Sequence, residues 1–250
     1  MATQRAGIEA TVYERYPHAA TDVGAFLTFA VNGMDALRAI DADAAVTGMG
    51  FPTPTLSFRT HTGKQLGRIA LGGTLPDGTR THTVRRADLY GALQDEAARR
   101  GIEVQYGREL VAAQRLSGGT VHAEFADGHT ATADMLIGAD GIRSTVHALI
   151  DPHAPAIEDA VQLARCLRDN PDTATAFDAF ERLRRTRVER IVKAASRTSN
   201  QKAAGPVGRV LRDAMMPLCL KRMADKTPKS AAFMFDHHVD WDAPVRPVAA

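Results

Sequence analysis

The chain has 250 residues, enough for one large domain or two small ones; 44% are hydrophobic, 24% are charged, and the formal net charge is +2. This mixture can bury a core, which argues against wholesale disorder, and the small net charge does not indicate a dedicated nucleic-acid binder. No apolar run approaches the ~20 residues that a membrane-spanning helix needs.

The first elements predicted along the chain are short. Alternating β-forming residues predict a strand over residues 8–14. A short helix is predicted from Asn32, its expected N-cap, to Ile40, with Met34, Leu37 and Ile40 on one apolar stripe. Strand-like pieces at 56–58 and 68–71 follow, separated by glycine and proline turns.

A helix over Ala87–Arg99 is the clearest element of the first half, because apolar residues recur every four positions and Gly101 follows as a stop signal. A strand at 102–104 comes next. Three further strand candidates, linked by Gly-Gly and Asp-Gly turns, predict an antiparallel meander. These candidates are Leu110–Leu116, Thr120–Phe125 and Thr130–Ile137.

Helical patterns dominate after about residue 156. Longer helices are predicted at about 174–195 and 207–223, and the segment from 233 to 242 is predicted to be extended. The first helix of this region has an apolar face, formed by Ile157, Ala160, Val161, Ala164 and Leu167.

Cysteine and histidine give no pattern for a disulfide framework or a metal site. Cys166 and Cys219 are too few for a zinc cage and have the surroundings of packing residues. Adjacent histidines on a strand, such as His237 and His238, point to opposite faces and cannot easily share a metal. We therefore expect no metal site. The N-terminal residues also lack the apolar segment of a signal peptide, so we expect a cytoplasmic protein.

Glu14 ends the first predicted strand and is the first candidate for ligand binding. In a dinucleotide-binding βαβ unit, an acidic residue at the tip of the second strand bonds a ribose diol, since a carboxylate can accept two hydroxyl hydrogen bonds. A lone acidic residue after a strand is also commonly just a solvated strand end. Taken alone, the position favours the solvated strand end.

The string Gly138-Ala-Asp140-Gly141 is the second candidate, because an apolar strand is predicted to run through it into a helix. Gly141 can take a positive φ and lets a ligand approach the backbone. Asp140 can accept hydrogen bonds from ligand hydroxyls, and the helix N-terminus beyond offers free N–H groups. The alternative is an ordinary strand-to-helix turn with Asp140 as its cap.

Arg86, just before the Ala87–Arg99 helix, is the third candidate. A guanidinium in this position can bind a phosphate bidentately. The alternative, which the position alone favours, is a surface arginine near a helix cap.

These strings occur in the order found in one family: the chain resembles the FAD-dependent monooxygenases of the aromatic-hydroxylase type. Other segments add to the resemblance, with Ala-Ile-Glu-Asp-Ala the most specific of them. They are the Asn32-Gly33 segment, Ala156-Ile-Glu-Asp-Ala160, the basic helix at 180–187 and Val239-Asp-Trp-Asp242.

The resemblance implies an α/β fold, made of a partial FAD-type Rossmann sheet with an attached β-meander and a helical C-terminal region. The corresponding domains would be a partial FAD-binding domain over 1–150 and a helical region over 157–250. The implied function is that of an FAD-dependent oxidoreductase with NAD(P)H as co-substrate and an aromatic or polycyclic small-molecule substrate.

The resemblance also assigns cofactor contacts. Glu14 would bond the adenosine ribose, Arg86 would lie along the pyrophosphate and ribityl chain, and the backbone near Leu110 would contact adenine. No side chain is assigned as an acid or base, because the oxygen chemistry of this family belongs to the flavin. The full set of implied cofactor-binding residues is Glu14, Arg15, Arg86, Leu110, Asp140 and Gly141.

The sequence departs from the family pattern in two places. No Gly-x-Gly-x-x-Gly turn, which normally seats the pyrophosphate on a helix N-terminus, occurs in it. Between Ile150 and Ile157 stands a short segment, where the family has a long middle part with a substrate-binding sheet and a Gly-Asp motif. We therefore expect a truncated form with impaired activity. The alternative is a non-catalytic remnant or interaction module without bound flavin.

Residues 182–202 hold eight basic residues against one acidic residue, Glu189. A basic helix can meet RNA or an anionic lipid surface, but this one has no aromatic residue to stack on bases. The expected role is therefore a solvated helix face, with no nucleic-acid or membrane partner.

Overall fold

The computed structural model describes most of the chain, in the ranges 1–18, 25–60, 62–140, 146, 156–199, 214–218, 220–221 and 233–245. Its contacts define two compact units, each assembled from segments that are distant in sequence. The first comprises Met1–Val23, Ala87–Arg184 and Trp241–Ala250, and the second Gly24–Arg86 and Arg185–Asp240. The two domains predicted from sequence motifs, over residues 1–150 and 157–250, stay a prediction.

Helices and strands are interspersed along the chain, as the α/β class requires. The helices are α1 (Ala2–Arg5), α2 (Val31–Arg38), α3 (Arg86–Arg99), α4 (Ala156–Asp169) and α5 (Thr173–Ser199). The strands are β1 (Val12–Glu14), β2 (Phe26–Phe29), β3 (Phe51–Pro52), β4 (Thr55–Arg59), β5 (Gln65–Ala70), β6 (His82–Arg85), β7 (Val104–Tyr106), β8 (Leu110–Arg115), β9 (Val121–Phe125) and β10 (Thr130–Ala133).

In the first unit, β1 pairs with β7 in parallel, with Val12 opposite Val104 and Glu14 opposite Tyr106. A parallel pair joined through a long connection with a helix is typical of a βαβ arrangement. The predicted strand over 8–14 is too long, because β7 offers only three partners and residues 8–11 therefore have no strand to pair with. The predicted strand at 102–104 is displaced by two residues for the same reason.

The predicted antiparallel meander is confirmed, with strand order β10-β9-β8. Its turns contain Gly119 and Gly128, whose φ angles are +86° and +82°. The last predicted strand is four residues too long, because β10 ends at Ala133 opposite Val121, the first residue of β9. Beyond this pair the strand has no partner, and residues 134–140 form no regular strand.

Helix α3 begins one residue earlier than predicted and ends as predicted at Arg99, with Gly101 as the stop signal. The φ of Gly101 is +70°, and the N–H of Ile102 donates to the carbonyl of Ala97 at 2.9 Å. The N–H of Gly101 donates to Ala98 at 2.9 Å, which completes a Schellman motif. Leu89 is 2% exposed and anchors the buried side of the helix.

In the second unit, β2, β6 and β3 form an antiparallel sheet with one buried and one open face. Phe29 and Val84 are buried, whereas Phe26 and Phe51 are exposed. None of these strands was predicted, because each is at most four residues long and its pairing partners are distant in sequence. The pieces predicted at 56–58 and 68–71 are present as the β4–β5 hairpin, with β5 ending at Ala70.

Helix α2 has the predicted apolar stripe at Met34 and Leu37, which are both buried. It ends at Arg38 rather than at the predicted Ile40, which is also buried but lies in the turn beyond the helix. The prediction that Asn32 is its N-cap is wrong. The N-cap is Ala30, which has an extended backbone and makes no side-chain cap hydrogen bond. The helix starts earlier because Val31 packs in the core and is only 2% exposed.

Helix α4 is buried on almost all sides between residues 158 and 166. Val161 and Ala164 are buried as predicted, but Ala160 is exposed, and the side chain of Ile157 lies outside the described residues. The single apolar face predicted for this helix is therefore wrong. The reason is that α4 contacts α1, α5 and the segment 241–245, so that polar side chains on its other faces are buried as well.

The predicted helix at 207–223 lies largely outside the described residues, although 214–218 are helical. Residues 233–235 form a helical turn rather than the predicted extended chain. The carbonyls of Phe233 and Met234, at this turn, accept hydrogen bonds from the Arg187 guanidinium. These contacts favour the turned conformation over an extended one.

Within the ranges that the structure covers, no helix combines the length and the apolar character needed to cross a bilayer.

Cys166 is fully buried in a small core with Ala176, Ala179 and Val245, in agreement with its predicted packing role. Burial raises the pKa of the Cys166 thiol from 9.0 to about 11. The folded state therefore holds this proton more tightly than the unfolded state. The stability that this group contributes is complete below about pH 9 and is lost as the pH rises towards 11.

We expect Cys166 to resist alkylation by iodoacetamide at pH 8 in the folded protein and to react rapidly in urea, since the thiolate is the nucleophile. The measurement is mass spectrometry of the labelled protein in a Cys219→Ser variant, which leaves one thiol. Labelling of native Cys166 at the rate of a free thiol would contradict the expectation.

Candidate functional site

Glu14 lies at the carboxyl end of the parallel β1–β7 pair, the edge at which open α/β sheets bind ligands. Its side chain is half-buried, and its Oε1 accepts a hydrogen bond from the Tyr16 N–H at 3.1 Å. Among the described residues, no further hydrogen-bond partner of this carboxylate is found. Oε2 can therefore accept a hydrogen bond from a ligand hydroxyl.

Arg15 follows Glu14 and is exposed. Its Nη2 donates to the Tyr16 hydroxyl at 3.0 Å, and its Cζ lies 4.9 Å from the centre of the Tyr16 ring. The hydrogen bond to Tyr16 raises the pKa of Arg15 above its ordinary value. The strand end thus presents a permanently charged guanidinium beside a carboxylate.

Arg86 is the first residue of α3 and follows β6 without a loop. Its side chain is exposed, as a residue that binds a soluble ligand should be. Its backbone N–H donates to the carbonyl of Ala25 at 3.0 Å, so this amide is engaged within the protein. Any ligand contact by Arg86 would use the guanidinium.

Leu110 is the first residue of β8, where it pairs with Phe125, and its side chain is half-buried. Phe125 is 4% exposed, and its ring centre lies 4.6 Å from that of Tyr13 in β1. The aromatic contact attaches the meander to the strand that carries Glu14.

Asp140 is exposed, and its Oδ2 accepts a hydrogen bond from the Val146 N–H at 3.3 Å. A Cβ on Gly138 would lie 2.6 Å from the Cβ of Val146, so the turn needs glycine there to fold back on itself. The hydrogen bond from Val146 to Asp140 spans six residues, further than the two or three of a helix N-cap, so both the cap and the ligand interpretations of Asp140 stay predictions. Gly141 lies outside the described residues.

The first unit contains Glu14, Arg15, Leu110 and Asp140, whereas Arg86 is the last residue of the first segment of the second unit. The arrangement of these residues around one cofactor trough stays a prediction.

A buried charge cluster joins α4 to α5. Arg184 is 3% exposed; its Nε donates to Asp159, and its Nη2 donates to Glu158 at 3.2 Å. The expectation of a solvated basic face is therefore wrong for Arg184. The signal was present in the sequence, because Arg184 continues the four-residue spacing of Ala176 and Phe180 on the core side of α5.

Within the described residues, no group of three or more histidine, cysteine, aspartate or glutamate side chains is placed to hold a metal ion. His238 pairs instead with Asp35, with 2.7 Å between Nδ1 and Oδ2.

The comparison with protein families shows to which family the chain belongs. A family described as "FAD binding domain" matches residues 3–232. The chain belongs to this family. The relationship to FAD-dependent monooxygenases that the sequence motifs predict is confirmed.

Two curated relatives show how far the similarity extends. The 2-heptyl-3-hydroxy-4(1H)-quinolone synthase of Mycobacteroides abscessus is 36% identical over 122 residues, which are 49% of this chain and 31% of that protein. The FAD-dependent urate hydroxylase of Mycolicibacterium vanbaalenii is 30% identical over 148 residues, 58% of this chain and 36% of that protein. The chain thus spans about a third of the length of these relatives.

Among solved structures, Klebsiella pneumoniae HpxO complexed with FAD and uric acid matches with a TM-score of 0.51 at 24% identity. The match covers 61% of this chain and 39% of that one. This similarity concerns the fold, and it confirms the predicted α/β class.

Proposed function

We propose that this chain binds FAD and acts in an FAD-dependent oxidoreductase of the aromatic monooxygenase type. The observation that carries the proposal is the half-buried carboxylate of Glu14, which stands at the carboxyl end of a parallel strand pair with one oxygen open. The family match over residues 3–232 supports FAD as the ligand.

The chemistry of the candidate residues fits a dinucleotide. Carboxylates such as Glu14 and Asp140 accept hydrogen bonds from ribose and ribityl hydroxyls, while the guanidinium groups of Arg15 and Arg86 suit the pyrophosphate. Gly141 would allow close approach of the ribityl chain to the backbone. The backbone at Leu110 would lie beside the adenine.

FAD would supply the redox chemistry when bound, with NAD(P)H as the electron donor and an aromatic or polycyclic small molecule as the substrate. The residues of this chain would bind and orient the cofactor. Glu14 would fix the adenosine end, and Arg15 and Arg86 would neutralise phosphate charge. The urate hydroxylase relative, named as FAD-dependent, supports the substrate class. A cytoplasmic location forms part of the same proposal.

Affinity for FAD should be moderate, because the sequence contains no Gly-x-Gly-x-x-Gly turn. Each charged hydrogen bond that such a turn would make to the pyrophosphate is worth about 1.5–3 kcal/mol. We accordingly expect impaired turnover alongside measurable cofactor binding.

Titration with FAD tests the proposal. We expect the purified protein to quench FAD fluorescence on binding, and Glu14→Gln to weaken binding about tenfold, because hydrogen bonds to a charged carboxylate are lost. Glu9→Gln, at an exposed position nearby, is the matched control and should bind FAD like the wild type.

A colourless protein that does not bind added FAD would overturn the proposal and favour the interaction module without flavin. Oxidation of NAD(P)H in the presence of FAD measures turnover. Robust, substrate-stimulated oxidation would contradict the expectation of impaired activity.

A further inference from the structure

The end of β1, where Glu14 lies, is held by very little regular structure. Only three residues of β1 pair with β7, and the chain leaves the sheet directly after Glu14. A three-residue parallel pair makes few backbone hydrogen bonds, so it cannot by itself fix the residues beyond its end. Contacts from elsewhere in the first unit must hold this strand end in place.

Arg108 provides the first of these contacts, from the connection between β7 and β8. Its backbone N–H donates to the Glu14 carbonyl at 2.9 Å, and the N–H of Gly107 donates to the Tyr16 carbonyl at 2.8 Å. These two hydrogen bonds flank the Glu14 side chain, whose Oε1 accepts from the Tyr16 N–H. The position of residues 107 and 108 therefore determines the position of the carboxylate.

The Arg108 side chain is in turn bound by the turn between β9 and β10. Its guanidinium forms an ion pair with Asp127, and the two side chains are 29% and 36% exposed. The other carboxylate oxygen of Asp127 accepts the His129 N–H at 3.1 Å, which fixes the turn itself. The Nε of Arg108 also donates to Gln105 at 3.4 Å.

The same hairpin makes an apolar contact with β1. The Tyr13 ring lies 4.6 Å from that of Phe125, the last residue of β9 and only two residues before Asp127. The His129 ring, on the far side of the turn, lies 5.6 Å from Phe125. One hairpin thus contacts the residue before Glu14 through an aromatic pair and the Glu14 backbone through Arg108.

We propose that Arg108, held by Asp127, is a positioning residue that fixes the Glu14 carboxylate for the adenosine end of FAD. We call the Arg108–Asp127 ion pair the brace. The inference rests on the proposed function, because the strand end that the brace holds is the site where FAD would bind. Without the ion pair, residues 107–108 and the Glu14–Tyr16 turn gain freedom, and the carboxylate must be ordered when the ligand binds. That ordering reduces affinity without removing any group that contacts the cofactor.

Two variants remove the brace by different routes. Arg108→Met removes the charge and keeps most of the stem, whereas Asp127→Asn removes the ion pair and keeps an oxygen that can accept from the His129 N–H. Arg115→Met and Asp95→Asn change exposed residues of the same types and are the matched controls. Arg108→Lys retains a cation and serves as the rescue variant.

Two measurements apply to every variant: the dissociation constant of FAD, and hydrogen exchange of the Tyr16 amide, whose N–H donates to Glu14. We expect Arg108→Met and Asp127→Asn each to weaken FAD binding about fivefold and to accelerate Tyr16 exchange, with partial recovery in Arg108→Lys. In a Glu14→Gln background, Arg108→Met should cause no further loss of affinity, because the group that it positions is already gone.

Unchanged FAD affinity in Arg108→Met, or an equal loss of affinity in the wild-type and Glu14→Gln backgrounds, would overturn the inference even if the wild type binds FAD. Failure of the wild type to bind FAD would instead refute the proposed function. In that case the brace is judged by Tyr16 exchange alone, which is faster in Arg108→Met if the brace exists and unchanged if it does not.

Discussion

Arg184→Met is expected to lower the free energy of unfolding by about 3–5 kcal/mol, because it removes the buried cation that two buried carboxylates bind. Arg184 is 3% exposed, and Glu158 and Asp159, which it binds, are 8% and 7% exposed. Methionine matches the length of the arginine stem, so the loss measures charge rather than packing volume. The cluster also joins α4 to α5, which makes both helices sensitive to the change.

Urea unfolding followed by circular dichroism measures the effect. Arg182→Met, an exposed arginine on the same helix, is the control and should change stability by less than about 0.5 kcal/mol. The triple variant Arg184→Met, Glu158→Gln, Asp159→Asn should recover part of the loss, because none of these three buried side chains is then charged. Equal midpoints for Arg184→Met and Arg182→Met would show that the cluster contributes nothing to stability.

The elements that the sequence predicted correctly are those encoded by local signals. Helix α3 combines a four-residue apolar spacing with a glycine at its C-terminus, and Gly101 indeed takes φ +70° and closes a Schellman motif. The meander was recognisable from two turn dipeptides, whose Gly119 and Gly128 have positive φ angles. These signals act within a few residues, so a single sequence suffices to find them.

The errors concern features that depend on distant partners. The length of β1 is set by the three residues of β7 that face it, and β10 ends where β9 begins. Strand β3 is a two-residue element that exists only because Thr83 and His82 lie opposite it. For β1 and β3 no propensity scale can supply such information, since their partners lie about 30 to 90 residues away in sequence.

The same contrast between local signals and long-range contacts applies to the candidate site. The carboxylate at the end of β1 follows from a local pattern. The hydrogen bond from Arg108 to Glu14 and the ion pair to Asp127 could not be predicted, since they join three separate segments. The sequence therefore placed Glu14 at the strand end, and the structure shows which contacts hold it there.

Gly50 lies close against the backbone of β6 in the second unit. A Cβ at this position would lie 2.1 Å from the carbonyl oxygen of Thr83 and 2.9 Å from a methyl carbon of Val84. Its φ is +65°, a conformation that strains residues with a side chain. The carbonyl oxygen belongs to β6, the central strand of its sheet, and cannot move aside without disturbing the pairing on both sides.

We therefore expect Gly50→Ala to lower the free energy of unfolding by about 3–5 kcal/mol, from the sum of backbone strain and overpacking. Gly48→Ala is the matched control, because Gly48 has φ +82° but no atom within 4 Å of a built Cβ, so it should lose only the ~1–2 kcal/mol of strain. Urea denaturation of both variants separates the two effects. Since the two positions share the strained conformation, a difference between them isolates the contact with Thr83, and equal losses would mean that residue 50 can move away from β6 at little cost.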